Sequence, residues 1–201
     1  MPDRGVLHRR LLGVLAGLLL SALAAAPATA QAPRGMLDIE EQPGFVPDEA
    51  DEILTGPYAR QLVFFRTNEA PGTIIIHTSE RFLYLVQPGG RAIRYGIGVG
   101  RQGFSWRGTQ HISMKREWPD WRPPAQMLKR RPDLPRYMPG GPNNPLGARA
   151  LYLGNTLYRI HGTNEPHTIG RAVSSGCIRM LNKDVIDLYN RVRIGTKVVV
   201  T

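Results

Sequence analysis

A mainly β fold, a β-sandwich with short helices, is what this sequence predicts, and three observations carry the prediction. Short runs rich in Val, Ile, Leu, Phe and Tyr recur at about 8 to 12 residue spacing, and Gly and Pro punctuate most of them. Only the stretch near the C-terminus has clear helical periodicity. A chain of 201 residues with 42% hydrophobic residues suits one domain with a buried core, which excludes a fibrous or wholly disordered protein.

The folded part is expected to begin near Tyr58. Strands are predicted over Gln61 to Arg66, Thr73 to Thr78 and Arg81 to Gln87, and Pro88-Gly89-Gly90 then turns the chain into a further strand over Arg91 to Val99. Another is predicted near His111 to Lys115. From Glu117 to Leu146 repeated prolines and the Gly140-Gly141 pair forbid continuous ladders. Pro124 to Lys129 suits a short helix with proline in its first turn. A segment this long and this poorly periodic reads either as a lid over a groove or as a surface loop anchored by Trp118, Trp121 and Tyr137. Ala150 to Leu153 and Leu157 to Ile160 read as strands, the second running into His161. Asn182 to Val192 reads as a helix with Asn182 as N-cap and Val185, Ile186, Leu188 and Tyr189 toward the core. Lys197 to Thr201 closes as a strand.

Upstream, Arg4, Arg9 and Arg10 precede an uncharged run from Leu11 to Ala26, and Ala28-Thr29-Ala30 supplies small residues for cleavage. Residues 1–30 therefore read as a secretory signal, and the expected location is the periplasm or cell envelope. The run is shorter than the roughly 20 apolar residues that span a bilayer, so no stable membrane span is expected after cleavage. Residues 31–57 hold seven acidic residues against the lone base Arg34, with four prolines, and read as an acidic extension; residues 58–201 form the folded domain. Net charge is +10, and from Ala59 onward 22 Lys and Arg face 8 Asp and Glu. Such a field suits anionic cell-wall material, and in this compartment nucleic acid is excluded as a partner.

Cys177 is the only cysteine. A single thiol in an exported protein is an intermolecular pairing site, an inert buried residue or a reactive group. Its setting, Ser174-Ser175-Gly176-Cys177-Ile178-Arg179, suits a tight turn that exposes the side chain. A free thiol near pKa 8.5 needs a base or cation to become a useful nucleophile. His161 is the candidate: it ends a predicted strand, Gly162 leaves room beside it, and 15 residues separate it from Cys177, enough to bring the chain back.

The string His161-Gly162-Thr163, Ile169-Gly170, Ser174 to Arg179, Asn182, Asp184, Leu188-Tyr189 and Gly195-Thr196 resembles the L,D-transpeptidase (YkuD-type) catalytic domain over about residues 60–201. The resemblance implies a reaction on peptidoglycan stem peptides. Cys177 would attack the carbonyl of the third residue, D-alanine would leave, and an amine of a second stem or of an envelope protein would take the acyl group; water in that place would make a carboxypeptidase. It further implies His161 as base, the Gly162 carbonyl as its orienter, backbone N–H groups near Gly176 and Cys177 as oxyanion donors, and neither metal nor organic cofactor. Ser174 and Ser175 would line the substrate site, with Ser175 standing where many members have histidine. A non-catalytic wall-binding module is the competing reading, and the joint presence of His161 and the Ser-x-Gly-Cys turn argues against it. Strand alternation places Arg179 on the side of the thiol. It would either hold a substrate carboxylate or pair structurally with a residue such as Asp184.

Overall fold

The computed structural model of the chain describes residues 56–201. The signal and most of the acidic extension read from the sequence lie outside the described residues. Eleven strands and two α-helices follow in the order β1 (Gln61–Phe64), β2 (Ile74–His77), β3 (Phe82–Gln87), β4 (Arg91–Gly96), β5 (Val99–Gly100), β6 (Gly108–Glu117), α1 (Ala125–Arg130), β7 (Arg149–Leu153), β8 (Arg159–His161), β9 (Ala172–Ser174), β10 (Ile178–Arg179), α2 (Asn182–Arg191) and β11 (Lys197–Val200). The domain is mostly β with short helices, as the spacing of apolar runs predicts.

Nine strands hydrogen-bond in the order β1-β4-β3-β2-β11-β6-β7-β8-β10, and β5 pairs separately with β9. The long strand β6 makes this a sandwich rather than one flat sheet. Its first residues, Gly108 to His111, pair with β11, and its later ones, Ile112 to Glu117, pair with β7, with an irregularity between Ile112 and Met114. A strand that changes partner through such a break is how one sheet folds over into two layers.

Between the layers lies one contiguous apolar cluster. Ile74 and Ile76 of β2, Leu83 and Leu85 of β3, Leu151 and Leu153 of β7 and Val198 and Val200 of β11 contribute alternate residues, the period-2 pattern of a strand with one face inward. Helix α2 adds Val185 and Leu188 to that cluster, Ile186 is buried as well, and Tyr189 packs against the rim. Lys115 of β6 reaches the far end of α2 and donates to the carbonyls of Tyr189 (2.6 Å) and Val192 (2.7 Å), satisfying acceptors that a helix C-terminus leaves open.

One local expectation is corrected, and two short strands were not predicted. Leu181, not Asn182, occupies the N-cap position of α2 and, being apolar, makes no side-chain cap bond, while the Asn182 side chain is used elsewhere. Strands β9 and β10, three and two residues long, have no periodicity of their own; β10 exists by pairing in parallel with β8 and β9 by pairing with β5.

Candidate active site

The parallel register of β8 and β10 builds the site. Ile178 lies opposite Ile160 and Arg179 opposite His161, so Cys177, one residue before β10, comes level with Arg159. Both Ile160 and Ile178 are buried. Strand alternation then turns Arg159 and His161 to the other face of β8. His161, Arg159, Cys177 and Arg179 all line one cavity of about 690 Å³.

His161 is 4% exposed, and its Nδ1 lies 2.5 Å from the carbonyl oxygen of Gly162. A carbonyl only accepts, so Nδ1 carries the proton and Nε2 is left as a bare acceptor. Burial first, then the positive charge of Arg179, push the His161 pKa down to about 3, against an opposing pull from the Gly162 carbonyl. The imidazole is therefore neutral across the physiological range.

Cys177 is half-buried, and its Sγ lies 3.7 Å from the Leu157 carbonyl oxygen. Burial pushes the thiol pKa up, while the N–H groups of Arg159 are the main influence pulling it back. At rest the thiol and the imidazole are thus both neutral; they line the same cavity, and the thiol's hydrogen bond runs to the Leu157 carbonyl.

The turn that presents the cysteine is braced on several sides. Ser174 Oγ donates to the Cys177 carbonyl (2.6 Å) and accepts from the Gly176 N–H (3.1 Å), closing the turn on itself. Gly176 has φ +104°, and a Cβ there would lie 2.6 Å from the Tyr158 ring, so only glycine fits. Trp106 Nε1 donates to the Gly176 carbonyl (3.0 Å), and the Trp106 ring stacks on Tyr158 at 4.6 Å.

These contacts occupy one expected donor. Ser174 lines the cavity while its hydroxyl braces the turn, and the Gly176 N–H is committed to Ser174. The Cys177 N–H has no acceptor among the described residues and remains the backbone donor beside the thiol. Ser175 lines the cavity as well.

Asn182 holds the loops behind His161. Its Oδ1 accepts from the N–H of Ala148 (3.0 Å) and of Thr163 (3.3 Å), tying the 147–148 turn to the segment that carries the Gly162 carbonyl. A Cβ on either Gly147 or Gly162 would collide with that oxygen.

Arg179 does face the cavity, but its partner is neither free substrate space nor Asp184. Its Nη1 bonds Glu165 at 2.7 Å, and Asp184 lies instead 3.8 Å from Arg60. The proline-rich segment supplies the opposite wall of the cavity through Trp121, Met127, Leu134, Pro135 and Met138. Trp121 and Met138 also exchange backbone hydrogen bonds of 2.8 and 2.9 Å, which closes the segment into a loop. Tyr137 stays half-exposed under the Arg122 guanidinium, 4.5 Å from the ring centre. Among the described residues no group of three or more His, Cys, Asp or Glu side chains converges as metal ligands would.

Sequence reasoning missed Arg159, Trp106 and Tyr158. For Arg159 a signal was present: it stands two residues before His161 in a predicted strand, and period 2 puts both on one face. Trp106 and Tyr158 lie well upstream of Gly176 in sequence, and only the folded turn brings the three together.

Comparison with known proteins places this geometry. The L,D-transpeptidase catalytic domain (YkuD) family model matches residues 71–200. A probable L,D-transpeptidase of Escherichia coli, ErfK/SrfK, is 38% identical over 62% of this chain and 42% of its own length. A second from the same organism, YbiS, is 39% identical over 62% of this chain and 43% of its own. The chain therefore spans less than half the length of these curated relatives. An L,D-transpeptidase structure from Mycobacterium smegmatis superposes with a TM-score of 0.52 at 16% identity, covering 64% of this chain and 58% of that one, which shows a shared fold.

Proposed function

The chain belongs to the L,D-transpeptidase catalytic-domain family, and from that premise we propose that it is a cysteine-nucleophile acyltransferase acting on peptidoglycan stem peptides in the cell envelope. The observation that carries the reading is the site itself: the single thiol of the chain, one residue before β10, and a buried, neutral histidine at the end of the adjacent parallel strand β8 share one cavity. In the first half-reaction Cys177 Sγ bonds to the carbonyl carbon of the third stem residue while its proton passes to His161 Nε2. The Cys177 N–H supports the oxyanion. Collapse breaks the C–N bond, and His161 returns the proton to the departing amine of D-alanine. An acceptor amine then attacks the thioester, His161 takes its proton, and the thiol is restored.

Because burial holds the thiol and the imidazole neutral, thiolate character arises in the attack step and is not stored in a resting ion pair. The orientation of the imidazole by the Gly162 carbonyl, itself held by the Asn182 staple, matters accordingly. The residue 1–30 signal reading supports export to the compartment where such peptides occur. The test is intact-protein mass after exposure to a tetrapeptide stem or a carbapenem. The parent chain gains an acyl adduct, and Cys177→Ala and His161→Ala do not while keeping a cooperative melt. An adduct on Cys177→Ala refutes the nucleophile assignment.

A further inference from the structure

Four arginines line the cavity, and their states differ. Arg131 is held by Asp133 through two bonds of 2.9 and 2.6 Å. Arg179 is met by Glu165 at 2.7 Å, although its Nε is buried without an acceptor. Arg130 is exposed, 5.1 Å from the centre of the Phe104 ring. Arg159 is half-buried beside Cys177, with no carboxylate partner among the described residues and a buried Nε that has no acceptor. Its guanidinium lies over the Tyr152 ring at 5.0 Å, and Tyr152 is its register partner on β7. An aromatic face holds a guanidinium in place without using its N–H groups, so apart from the donor turned to Cys177 the fork stays available.

A half-buried guanidinium held over an aromatic ring, with a buried Nε that has no acceptor and no carboxylate beside it, is placed to meet an anion that arrives. We infer that Arg159 is a specificity-determining residue that binds a carboxylate of the acyl donor, and that this carboxylate is the one on the leaving residue. The assignment rests on the acyl-donor reading given above. In a donor whose scissile carbonyl sits over Cys177, the α-carboxylate of a terminal D-alanine is three bonds from the carbon under attack. It therefore falls beside the same strand face that carries Arg159 and His161. Arg179, whose charge Glu165 neutralises, is left to shape the wall. Donors ending in a free carboxylate one residue past the scissile bond are the substrate class this arrangement selects, and amidated or extended donors are disfavoured.

The experiment has two arms. In the first, Cys177 of the purified chain is alkylated with iodoacetate, which carries a carboxylate, and with iodoacetamide, which is neutral. The iodoacetate rate divided by the iodoacetamide rate falls about 10-fold in Arg159→Gln. It falls less in Arg159→Lys, and holds in the double variant Arg179→Gln with Glu165→Gln, which removes a neutral pair. In the second arm, a tetrapeptide donor with a free C-terminus is compared with its C-terminal amide. Arg159→Gln loses about 10- to 150-fold in acylation on the acid and much less on the amide. Equal slowing with both alkylating reagents would assign Arg159 to thiolate stabilisation, and an unchanged ratio would leave it no carboxylate role; either overturns the inference. If the ratio shifts as expected while no donor acylates the parent chain, the carboxylate site stands and the stem-peptide reading fails. Arg159→Lys keeps the test decisive should the glutamine variant fold poorly.

Discussion

Asn182→Ala removes one oxygen and strands two backbone donors. The N–H groups of Ala148 and Thr163, on two buried residues, lose the acceptor they have among the described residues. A buried donor left unmet costs about 1–3 kcal/mol, and the 3.3 Å bond is the weaker of the two, so the combined loss is about 3 kcal/mol. For a domain of this size each kcal/mol moves Tm by about 2–4 °C, which predicts a drop of about 6–12 °C. The functional consequence is separate. Thr163 follows Gly162, whose carbonyl orients His161, so freeing the segment lets the imidazole swing from its Nδ1 anchor. Adduct formation measured well below the variant's Tm should therefore slow by about 10-fold or more. Asn182→Asp keeps an acceptor at the first turn of α2, where negative charge is favourable, and should recover most of the stability. Thermal melting by circular dichroism and time-resolved intact mass test the two halves. A melt within 1 or 2 °C of the parent, taken as about one fifth of the expected drop, would show that water replaces the lost oxygen. A lowered melt with undiminished acylation would show that the staple carries stability but does not position His161.

Other expectations follow from the same geometry. Burial raises the Cys177 pKa and lowers that of His161, so the iodoacetamide rate should climb with pH through the neutral range and above pH 8; a plateau already reached near pH 6 would indicate a resting thiolate–imidazolium pair. Folded His161 resists protonation until about pH 3, whereas its ordinary value is 6.5. The unfolded chain thus binds the extra proton first, and stability should fall as pH drops from 6.5 toward 3, with a shallower fall in His161→Gln. Gly176→Ala forces a side chain into φ +104° and against the Tyr158 ring, and should cost about 1–3 kcal/mol and abolish the adduct; an unchanged melt and rate would refute the turn's dependence on glycine. Arg179→Ala leaves Glu165 uncompensated at the cavity wall, so acylation by an anionic donor should drop and be largely restored by adding Glu165→Gln. Because Glu165 is half-exposed, the effect on stability should stay below about 1 kcal/mol.

The sequence alone determined the fold class, most strands and the two helices, and it singled out His161 and Cys177, which line one cavity. Ile74-Ile75-Ile76 and Phe82 to Val86 are too apolar and too β-branched or aromatic for anything but buried strands, and the proline-rich segment is barred from both strand and long helix by its missing N–H groups. Such signals are local, set by the residue and its neighbours within a few positions. Tertiary structure decided what depends on pairing across the chain. Strands β9 and β10 are too short to have a period, and β10 exists because β8 and Gly98 offer it partners. The Asn182 oxygen had a local use as a helix cap, and two loops more than 15 residues upstream took it instead. The Gly176 N–H had a use at the oxyanion, and the Ser174 hydroxyl took it. Arg179 and Arg159 look alike in sequence, each a cation two residues from a chemical group. Glu165, brought over by its loop, neutralises one and leaves the other open, and only the folded chain fixes which partner lies within hydrogen-bonding distance.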